Sequence, residues 1–441
     1  MNSFINISFL KRYNPLKITL IGLFFWVFIF FIIPLKIKHQ VGFLPFFYLF
    51  TNYLFFLLGI KIITPTKFKK EYIYKTDKKI LWKILYIVIF IAFVGFIFKI
   101  IDKFYIRGAS FTNSISYNRI LLEKSGASII SIISAITNPF CFLPLFLYYM
   151  IQPRKKWLFI ICLFLFFSAS FEFIMLGSRS GLFVIIILFG AFLFYFKKLK
   201  ITASKFLIVL GVLFFVGIYS TQLFIERTKD FAKTDKVAIE HILKRSNYNF
   251  TITPKEETKV KIITSNNKTV QAARLTMINF SQYYIHGLFE FGYLYNNYEK
   301  NHYYGAYTFN IFMKFINIAF RTNFDLKKVQ KAPPRPGVYT TFFGPIFIDF
   351  GWFSLIFMFF FGVFQKLLYN KVIRGRFQFI PLLFYMLIIN FFMPVFNFIN
   401  GAQGLYTIFS FVMFIFIYIF LTGKVKISKQ DGKIQYVRIL K

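Results

Sequence analysis

A series of apolar segments, each long enough to cross a lipid bilayer as a helix, constrains this chain most. A helix needs about 20 residues at 1.5 Å per residue to span the hydrocarbon core. Since 57% of the 441 residues are hydrophobic and 70 are Phe, a water-soluble domain is excluded. We therefore predict an all-α polytopic membrane protein. About ten spans are predicted, at 18–35, 41–62, 81–101, 127–151, 157–176, 181–196, 205–225, 341–369, 378–399 and 402–422. Prolines inside the second, fourth and ninth spans predict kinks there.

The basic residues predict how these spans are oriented. The formal net charge is +38, and Lys and Arg are concentrated in the loops at 61–83, 154–156, 197–205 and 371–376. The positive-inside rule places these loops and both termini in the cytoplasm. Their position beside apolar segments favours anionic lipid headgroups over nucleic acid, so no nucleic-acid partner is expected.

One long polar segment interrupts the apolar pattern and divides the chain into four regions. These are spans 1–7 in 1–225, a loop in 226–340, spans 8–10 in 341–422, and a basic cytoplasmic tail in 423–441. The predicted topology places the loop outside the cytoplasm. Within it, 310–321 predicts an amphipathic helix in the headgroup plane. The stretch 259–270 fits either a small β-hairpin or a mobile insertion.

The long loop contains a candidate general base. Gln282, His286 and Glu290 recur every four residues, so on a helix they form one polar stripe among aromatic residues. A carboxylate one turn away can orient an imidazole and raise its basicity, which suits proton abstraction. The alternatives are that Gly287 interrupts this helix and that His286 is an ordinary interfacial histidine.

Four arginines are candidates for binding an anion. Arg179 lies in a Gly-Ser-Arg-Ser-Gly turn between two spans, and Glu172 is two helical turns earlier on the same face as a candidate partner. A guanidinium fixed in such a turn can bind a phosphate through two hydrogen bonds. Arg274 opens the His286 helix, Arg335 lies in an extended Pro-Pro-Arg-Pro-Gly segment, and Arg119 is the fourth. The alternatives are an arginine that extends to lipid headgroups for Arg179, a loop arginine at the rim for Arg335 and an interfacial anchor for Arg119.

Asp349 is a second candidate proton acceptor, because a carboxylate inside a span is costly unless it is paired or faces a wet cavity. The sequence contains no Gly-rich phosphate loop, and the outer loops contain no paired-acid or His/Cys metal spacing. Neither a cofactor nor a catalytic metal is therefore expected. Both cysteines lie in apolar segments, so no disulfide is expected in the loop.

The order of these features resembles a known family. Spans that flank Gly-Ser-Arg-Ser-Gly, a large outer loop late in the chain, and VYTTFFGPIFIDFGW entering the eighth span resemble the Wzy-type oligosaccharide repeat-unit polymerases of bacterial surface polysaccharide assembly. The resemblance implies a GT-C-like, metal-independent glycosyltransferase in the bacterial inner membrane, with its active site facing the periplasm. Its donor and acceptor would be glycan repeats linked to undecaprenyl diphosphate. Membrane lipid, a chain-length regulator and a flippase would be its other partners.

The resemblance also implies a role for each candidate residue. The growing glycan would move from its lipid diphosphate to a sugar hydroxyl of a newly delivered repeat, in O-antigen or capsule synthesis. Catalysis would involve His286, Arg274 and Asp349. The diphosphate would be bound by Arg179, Arg335 and Arg119, and the glycan by Tyr283, Tyr284, Tyr339 and Glu290.

Three other functions remain open. The related O-antigen ligases use the same kind of donor but glycosylate lipid A core, and the motif that enters span eight favours a polymerase. A repeat-unit flippase would predict a charged central cavity, paired repeats and discontinuous helices in both halves. No repeat is evident in the sequence, and the charges lie near one membrane face. A non-catalytic scaffold would give no reason for Arg179.

Overall fold

The structure is a computed structural model of the chain. It describes residues 7–64, 78–113, 115–124, 128–151, 155–175, 179–196, single positions between 204 and 225, 234–299, 301–322, 324–400, 402–422, 425–430 and 433–438. The side chains of some residues in these ranges, among them Arg119 and Arg179, lie outside the described set.

Helices account for almost all of the described secondary structure. The described helices are α1 (Ile7–Arg12), α2 (Pro15–Ile32), α3 (Phe43–Ile62), α4 (Lys78–Ile100), α5 (Ile115–Lys124), α6 (Ile129–Thr137), α7 (Leu143–Met150), α8 (Lys156–Met175), α9 (Arg179–Tyr195), α10 (Asp235–Arg245), α11 (Glu256–Ile263), α12 (Lys268–Asn297), α13 (Asn310–Phe320), α14 (Leu326–Gln330), α15 (Phe343–Phe350), α16 (Ser354–Ile373), α17 (Ile380–Phe392) and α18 (Ala402–Thr422). The described strands are β1 (Leu35–Ile37), β2 (Ile252–Pro254), β3 (Val425–Gln430) and β4 (Lys433–Arg438).

Seven of the described helical segments are long and apolar enough to cross a membrane. Large apolar side chains cover their outer surfaces, and Phe24, Phe31 and Phe420 are each more than two-thirds exposed. Such surfaces are stable in lipid rather than in water. The prediction of an all-α multi-pass membrane protein is therefore confirmed, while the in–out orientation stays a prediction. The segments are Pro15–Ile32, Phe43–Ile62, Lys78–Ile106, Ile129–Met150, Lys156–Met175, Phe343–Ile373 and Gly404–Thr422.

The other predicted spans differ in length or lie outside the described residues. Span 6 is the 17-residue helix α9. The prediction that span 9 is helical to residue 399 is wrong, because α17 ends at Phe392. Pro394 has no N–H to continue the helical hydrogen bonds, and the Met393 carbonyl accepts instead from the Phe342 N–H at 2.8 Å. Most of predicted span 7, at 205–225, lies outside the described residues.

Two of the long spans are discontinuous. In span 4, a 3-10 turn at Asn138–Phe142 separates α6 from α7, at the prolines that predicted a kink. In span 8, α15 ends at Phe350, and a 3-10 turn at Gly351–Phe353 leads into α16; the φ of 52° at Gly351 favours a glycine there. The kink predicted in span 2 is wrong: Pro45 lies in the first turn of α3, where a proline fits a regular helix.

Helices α3 and α16 pack with their backbones in close contact. A Cβ at Gly59 would clash with the carbonyl oxygen of Phe359, and a Cβ at Gly362 would clash with that of Phe56. Small residues at a membrane helix interface permit this approach. Where α15 meets α16, the Tyr48 hydroxyl of α3 donates to the Gly351 carbonyl at 3.2 Å.

The segment from Thr234 to Thr340 forms a cap over one end of the helices. Strand β2 pairs antiparallel with β1, which lies between the first two spans, so the two loops lie on the same face. The hairpin predicted at 259–270 is wrong: α11 occupies its first half, with Glu256 in the first helical turn and Lys261 in the last, as the helix dipole favours. The predicted amphipathic helix at 310–321 is present as α13.

Candidate active site

The candidate site lies on one face of α12. Gln282, His286 and Glu290 lie on an uninterrupted helix, and their exposed fractions are 2%, 0% and 1%. Gly287 does not end the helix. Instead it allows close packing, because a Cβ there would lie 2.5 Å from the carbonyl oxygen of Val395. The polar stripe predicted from the sequence is therefore buried, and residues 248–252 contact all three of its side chains.

Irregular backbone forms the floor of the site. The Phe342 N–H donates to the Met393 carbonyl at 2.8 Å, and Thr341 forms a single β-bridge with Phe396. The amide of Asn397 donates to the Phe342 carbonyl at 3.0 Å. Non-helical backbone close to lipid is stable only when its polar groups are bonded internally, and Asn397 supplies part of this bonding.

The His286 imidazole has one bonded and one free nitrogen. Its Nδ1 lies 2.9 Å from the carbonyl oxygen of Gln282, which can only accept, so Nδ1 carries the proton. Its Nε2 is buried and has no hydrogen-bond partner among the described residues. Burial lowers the pKa of His286 to about 4, and the positive charge of Arg335 acts in the same direction. The ring is therefore neutral near pH 7, with a proton-accepting Nε2.

A buried ion pair lies one helical turn from His286. The Oε1 of Glu290 accepts a hydrogen bond from the Thr251 hydroxyl at 2.9 Å and pairs with Nη1 of Arg335. Its Oε2 is buried without a hydrogen-bond partner among the described residues. Burial raises the pKa of Glu290, and Arg335 opposes this rise. The sequence had suggested that Glu290 orients the imidazole. In the structure Glu290 is bound to Arg335 instead.

Arg335 holds two segments of the cap together. Besides Glu290, its Nη2 donates to the main-chain carbonyl of Asn247 at 2.8 Å. Its guanidinium lies 3.9 Å from the centre of the Phe250 ring, in cation–π contact. The loop 331–340, here called the Arg335 loop, is in this way fixed against the 3-10 turn Asn247–Phe250 above His286.

Aromatic rings surround the imidazole. The Tyr248 ring centre lies 4.2 Å from that of His286, and the Tyr283 and Tyr339 ring centres each lie 6.1 Å away. Tyr339 is 39% exposed, so this side of the cluster reaches solvent. Tyr284 is not part of the cluster: it packs edge-on against Phe25 of α2, as expected for the next residue of a helix.

Two of the predicted catalytic residues lie elsewhere. Arg274 is exposed and donates to the Lys261 carbonyl at 3.0 Å. It precedes His286 by three helical turns, about 18 Å along the axis at 1.5 Å per residue. The Asp349 carboxylate accepts the main-chain N–H groups of Tyr307 and Thr308, each at 2.8 Å. These bonds shape the loop after α12 rather than reach the imidazole.

The structure leaves the other two arginines as predictions, since the side chains of Arg119 and Arg179 lie outside the described residues. Glu172, the proposed partner of Arg179, forms ion pairs with Lys99 and Lys103. Of the predicted site residues, the structure thus brings together His286, Glu290, Arg335, Tyr283 and Tyr339.

Sequence reasoning missed the residues that cover the imidazole. Tyr248, Asn249 and Thr251 lie about 35 to 40 positions before His286 and contact its ring, Gln282 and Glu290 respectively. The only local signal is a polar-aromatic stretch, Asn-Tyr-Asn-Phe-Thr, inside a loop. No periodic pattern connects that stretch to α12.

No family model, curated protein or solved structure matches this chain. Among the described residues, no group of three or more His, Cys, Asp or Glu side chains is arranged to bind a metal. The function of the site therefore has to be inferred from its chemistry.

Proposed function

We propose that this chain is a glycosyltransferase of the bacterial inner membrane. It would polymerise oligosaccharide repeats linked to undecaprenyl diphosphate at the periplasmic face. The observation that carries the proposal is the neutral, buried His286, whose free Nε2 lies among tyrosines beneath an arginine of the cap. A proton acceptor, aromatic surfaces and a cation are the groups this transfer needs.

The reaction would be a displacement at the anomeric carbon of the donor glycan. A hydroxyl oxygen of the acceptor sugar forms the new bond to this carbon, and the bond to the diphosphate oxygen breaks. The hydroxyl proton passes to Nε2 of His286, and the lipid diphosphate leaves with the bonding electrons. Positive side chains near the leaving group stabilise its charge without a metal.

Access to His286 requires the Arg335 loop to move, because the imidazole is fully buried. A diphosphate would compete with Glu290 for Arg335, since both anions suit a guanidinium. Release of Glu290 would leave a carboxylate one helical turn from the imidazole. That charge raises the basicity of His286 when the acceptor hydroxyl is in place. Tyr283 and Tyr339 would stack on the sugar rings.

Removal of this chain from the cells that carry it tests the proposed class. A polymerase predicts that the surface polysaccharide ladder collapses to single repeats, and re-expression restores the ladder. An unchanged ladder would rule out the proposal. A ligase predicts instead that long polymer accumulates on its lipid carrier. A flippase predicts that single repeats accumulate on the cytoplasmic side.

Substitution of His286 tests the site itself. A general base contributes about 10²- to 10⁴-fold, so His286→Gln should abolish long chains while the protein inserts normally. His302→Gln is the matched control, because His302 also lies in the cap and its Nδ1 also lies near a main-chain carbonyl. Arg179→Ala and Arg335→Ala are expected to shorten the chains too. Normal ladders in all three site variants would remove the catalytic assignment.

A flippase is the second candidate, and one observation favours it. Spans 4 and 8 are discontinuous, at Asn138–Phe142 and at Gly351–Phe353, so each half of the chain has a broken helix. Broken helices in both halves are typical of transporters. A glycosyltransferase is preferred because the free imidazole nitrogen lies in the cap rather than at either break.

A further inference from the structure

A second cluster of charged side chains lies within the helix array, in spans 3 and 5. Lys99 lies near the end of α4, Lys103 lies in the π-helical segment Ile101–Ile106 that continues it, and Glu172 lies on α8. Glu172 pairs with Lys99 and lies 3.5 Å from Nζ of Lys103. Only 21%, 15% and 17% of the three side chains are exposed. Charges buried in a membrane span are costly, and they usually mark a site.

The cluster has one positive charge more than it needs for internal pairing. On the next turn, Asp102 pairs with Arg107 at 3.1 Å. Lys99, Lys103 and Arg107 together carry three positive charges, and Asp102 and Glu172 carry two negative charges. Each ammonium also has three donors, of which Glu172 takes one. The described side chains can therefore accept one more anion.

A cavity of about 30 Å³ opens beside this cluster. Its lining combines the two lysines with the rings of Phe96, Phe104 and Phe171. Phe171 is half exposed, on the face of α8 where the other exposed side chains are apolar, so the cavity opens towards lipid. The enclosed volume accommodates about two water-sized groups. Two oxygens of one phosphate have this size, and an attached chain would follow the phenylalanines into the bilayer.

Both helices beside the cavity are irregular at this depth. Helix α4 widens into a π-helix at Ile101–Ile106, and span 4 breaks at Asn138, which also lines the cavity. Gly95 allows this contact, because a Cβ there would lie 2.5 Å from the Asn138 nitrogen.

We infer that the Lys99–Glu172–Lys103 cluster binds the phosphate of an anionic lipid that enters from the bilayer. The two ammonium groups donate to the phosphate oxygens, while Glu172 holds both lysines in place and competes with the incoming anion. The site is separate from the His286 cluster and does not depend on the proposed glycosyl transfer. Its ligand is either a bulk phospholipid or a polyprenyl phosphate, which share this headgroup chemistry.

Lipid titration of the full-length protein, followed by native mass spectrometry, tests the inference. The probes are phosphatidylglycerol, a polyprenyl monophosphate and zwitterionic phosphatidylcholine. Lys99→Gln with Lys103→Gln should weaken binding of the anionic probes at least about tenfold, because two charge-assisted hydrogen bonds are lost. The matched control is Lys244→Gln with Lys259→Gln, which removes two lysines that are also paired with glutamates, but in the cap.

Glu172→Gln separates a binding site from a structural ion triad. Removal of the competing carboxylate should tighten anionic binding about 3- to 10-fold, whereas a purely structural triad would lose binding together with stability. The anionic probe that binds tighter to the unmodified protein identifies the source of the ligand. Equal binding by the lysine variant and its control, or weaker binding by Glu172→Gln, would overturn the inference. If the lysine variant does not fold, Lys99→Arg with Lys103→Arg should bind as the unmodified protein does.

Discussion

Replacing Arg335 with alanine should loosen the cap over His286. Loss of one partner of a fully buried ion pair costs about 3–5 kcal/mol, because the other charge stays buried and unpaired. Glu290 is 1% exposed but Arg335 is 20% exposed, so water already screens part of the pair. We therefore expect a cost of about 2–4 kcal/mol in the local opening free energy, including the cation–π contact with Phe250. This cost corresponds to about 30- to 700-fold more frequent opening of the Arg335 loop.

Hydrogen exchange of the protein in lipid nanodiscs measures this opening. Arg335→Ala should accelerate exchange in 247–255 and 331–340, whereas Lys328→Ala, an exposed change on the neighbouring α14, should change it less than threefold. Adding Glu290→Gln to Arg335→Ala should recover about 1–2 kcal/mol, because the unpaired buried charge is then absent. If the exchange rates of these two segments in Arg335→Ala stay within threefold of those in the unmodified protein, the reasoning is refuted. A double variant that opens as often as the single one would refute it as well.

Three further predictions follow from the buried groups. The unfolded state binds more protons than the folded state between the folded pKa of His286, about 4, and its unfolded value of about 6.5. The stability of the cap should therefore fall by up to about 3 kcal/mol as the pH falls through this range. The raised pKa of Glu290 has the opposite effect, since it stabilises the cap at lower pH. Hydrogen-exchange rates in His286→Gln should show only the pH dependence that comes from Glu290. Gly59→Leu should prevent close packing of α3 on α16 at a cost of about 3 kcal/mol or more. The control is Gly190→Leu, because a Cβ at Gly190 would meet no atom of another element within 4 Å; equal extraction yields for the two variants would contradict this prediction. Asp349→Asn replaces one of two acceptor oxygens with a donor, so exchange in 303–309 should rise at least about tenfold; an unchanged rate would show that the Tyr307 and Thr308 bonds do not shape the loop.

Segment length and hydropathy were enough to predict most of the membrane architecture. A run of about 20 apolar residues has one stable structure in lipid, a helix, so spans such as Phe43–Ile62 can be read directly from the sequence. The departures come from tertiary contacts. Gly351 breaks span 8, and the residues after Phe392 leave the helix to pair with 341–342. Neither contact leaves a periodic signal in the sequence.

The candidate site was predictable only as far as it lies on one helix. The spacing of Gln282, His286 and Glu290 defines a polar stripe at any level of burial. The choice of partner for Glu290 was not predictable, because Arg335 is 45 positions away and reaches it through a loop. For the same reason the sequence placed Arg274, which shares the helix with His286, closer to the site than Arg335. In the structure Arg335 contacts the site and Arg274 does not.

The pairing of Glu290 with Arg335, rather than with His286, changes what the proposed site requires for activity. An arginine free in the cap would bind a diphosphate without any change in the protein. An arginine already bound to Glu290, Asn247 and Phe250 can do so only when an anion replaces the carboxylate. The same replacement would release the Arg335 loop from above His286 and leave Glu290 able to stabilise a protonated imidazole. In the proposed reaction, binding of the donor diphosphate and activation of the base are therefore a single event, and neither His286 nor Arg335 acts before the lipid-linked donor is bound.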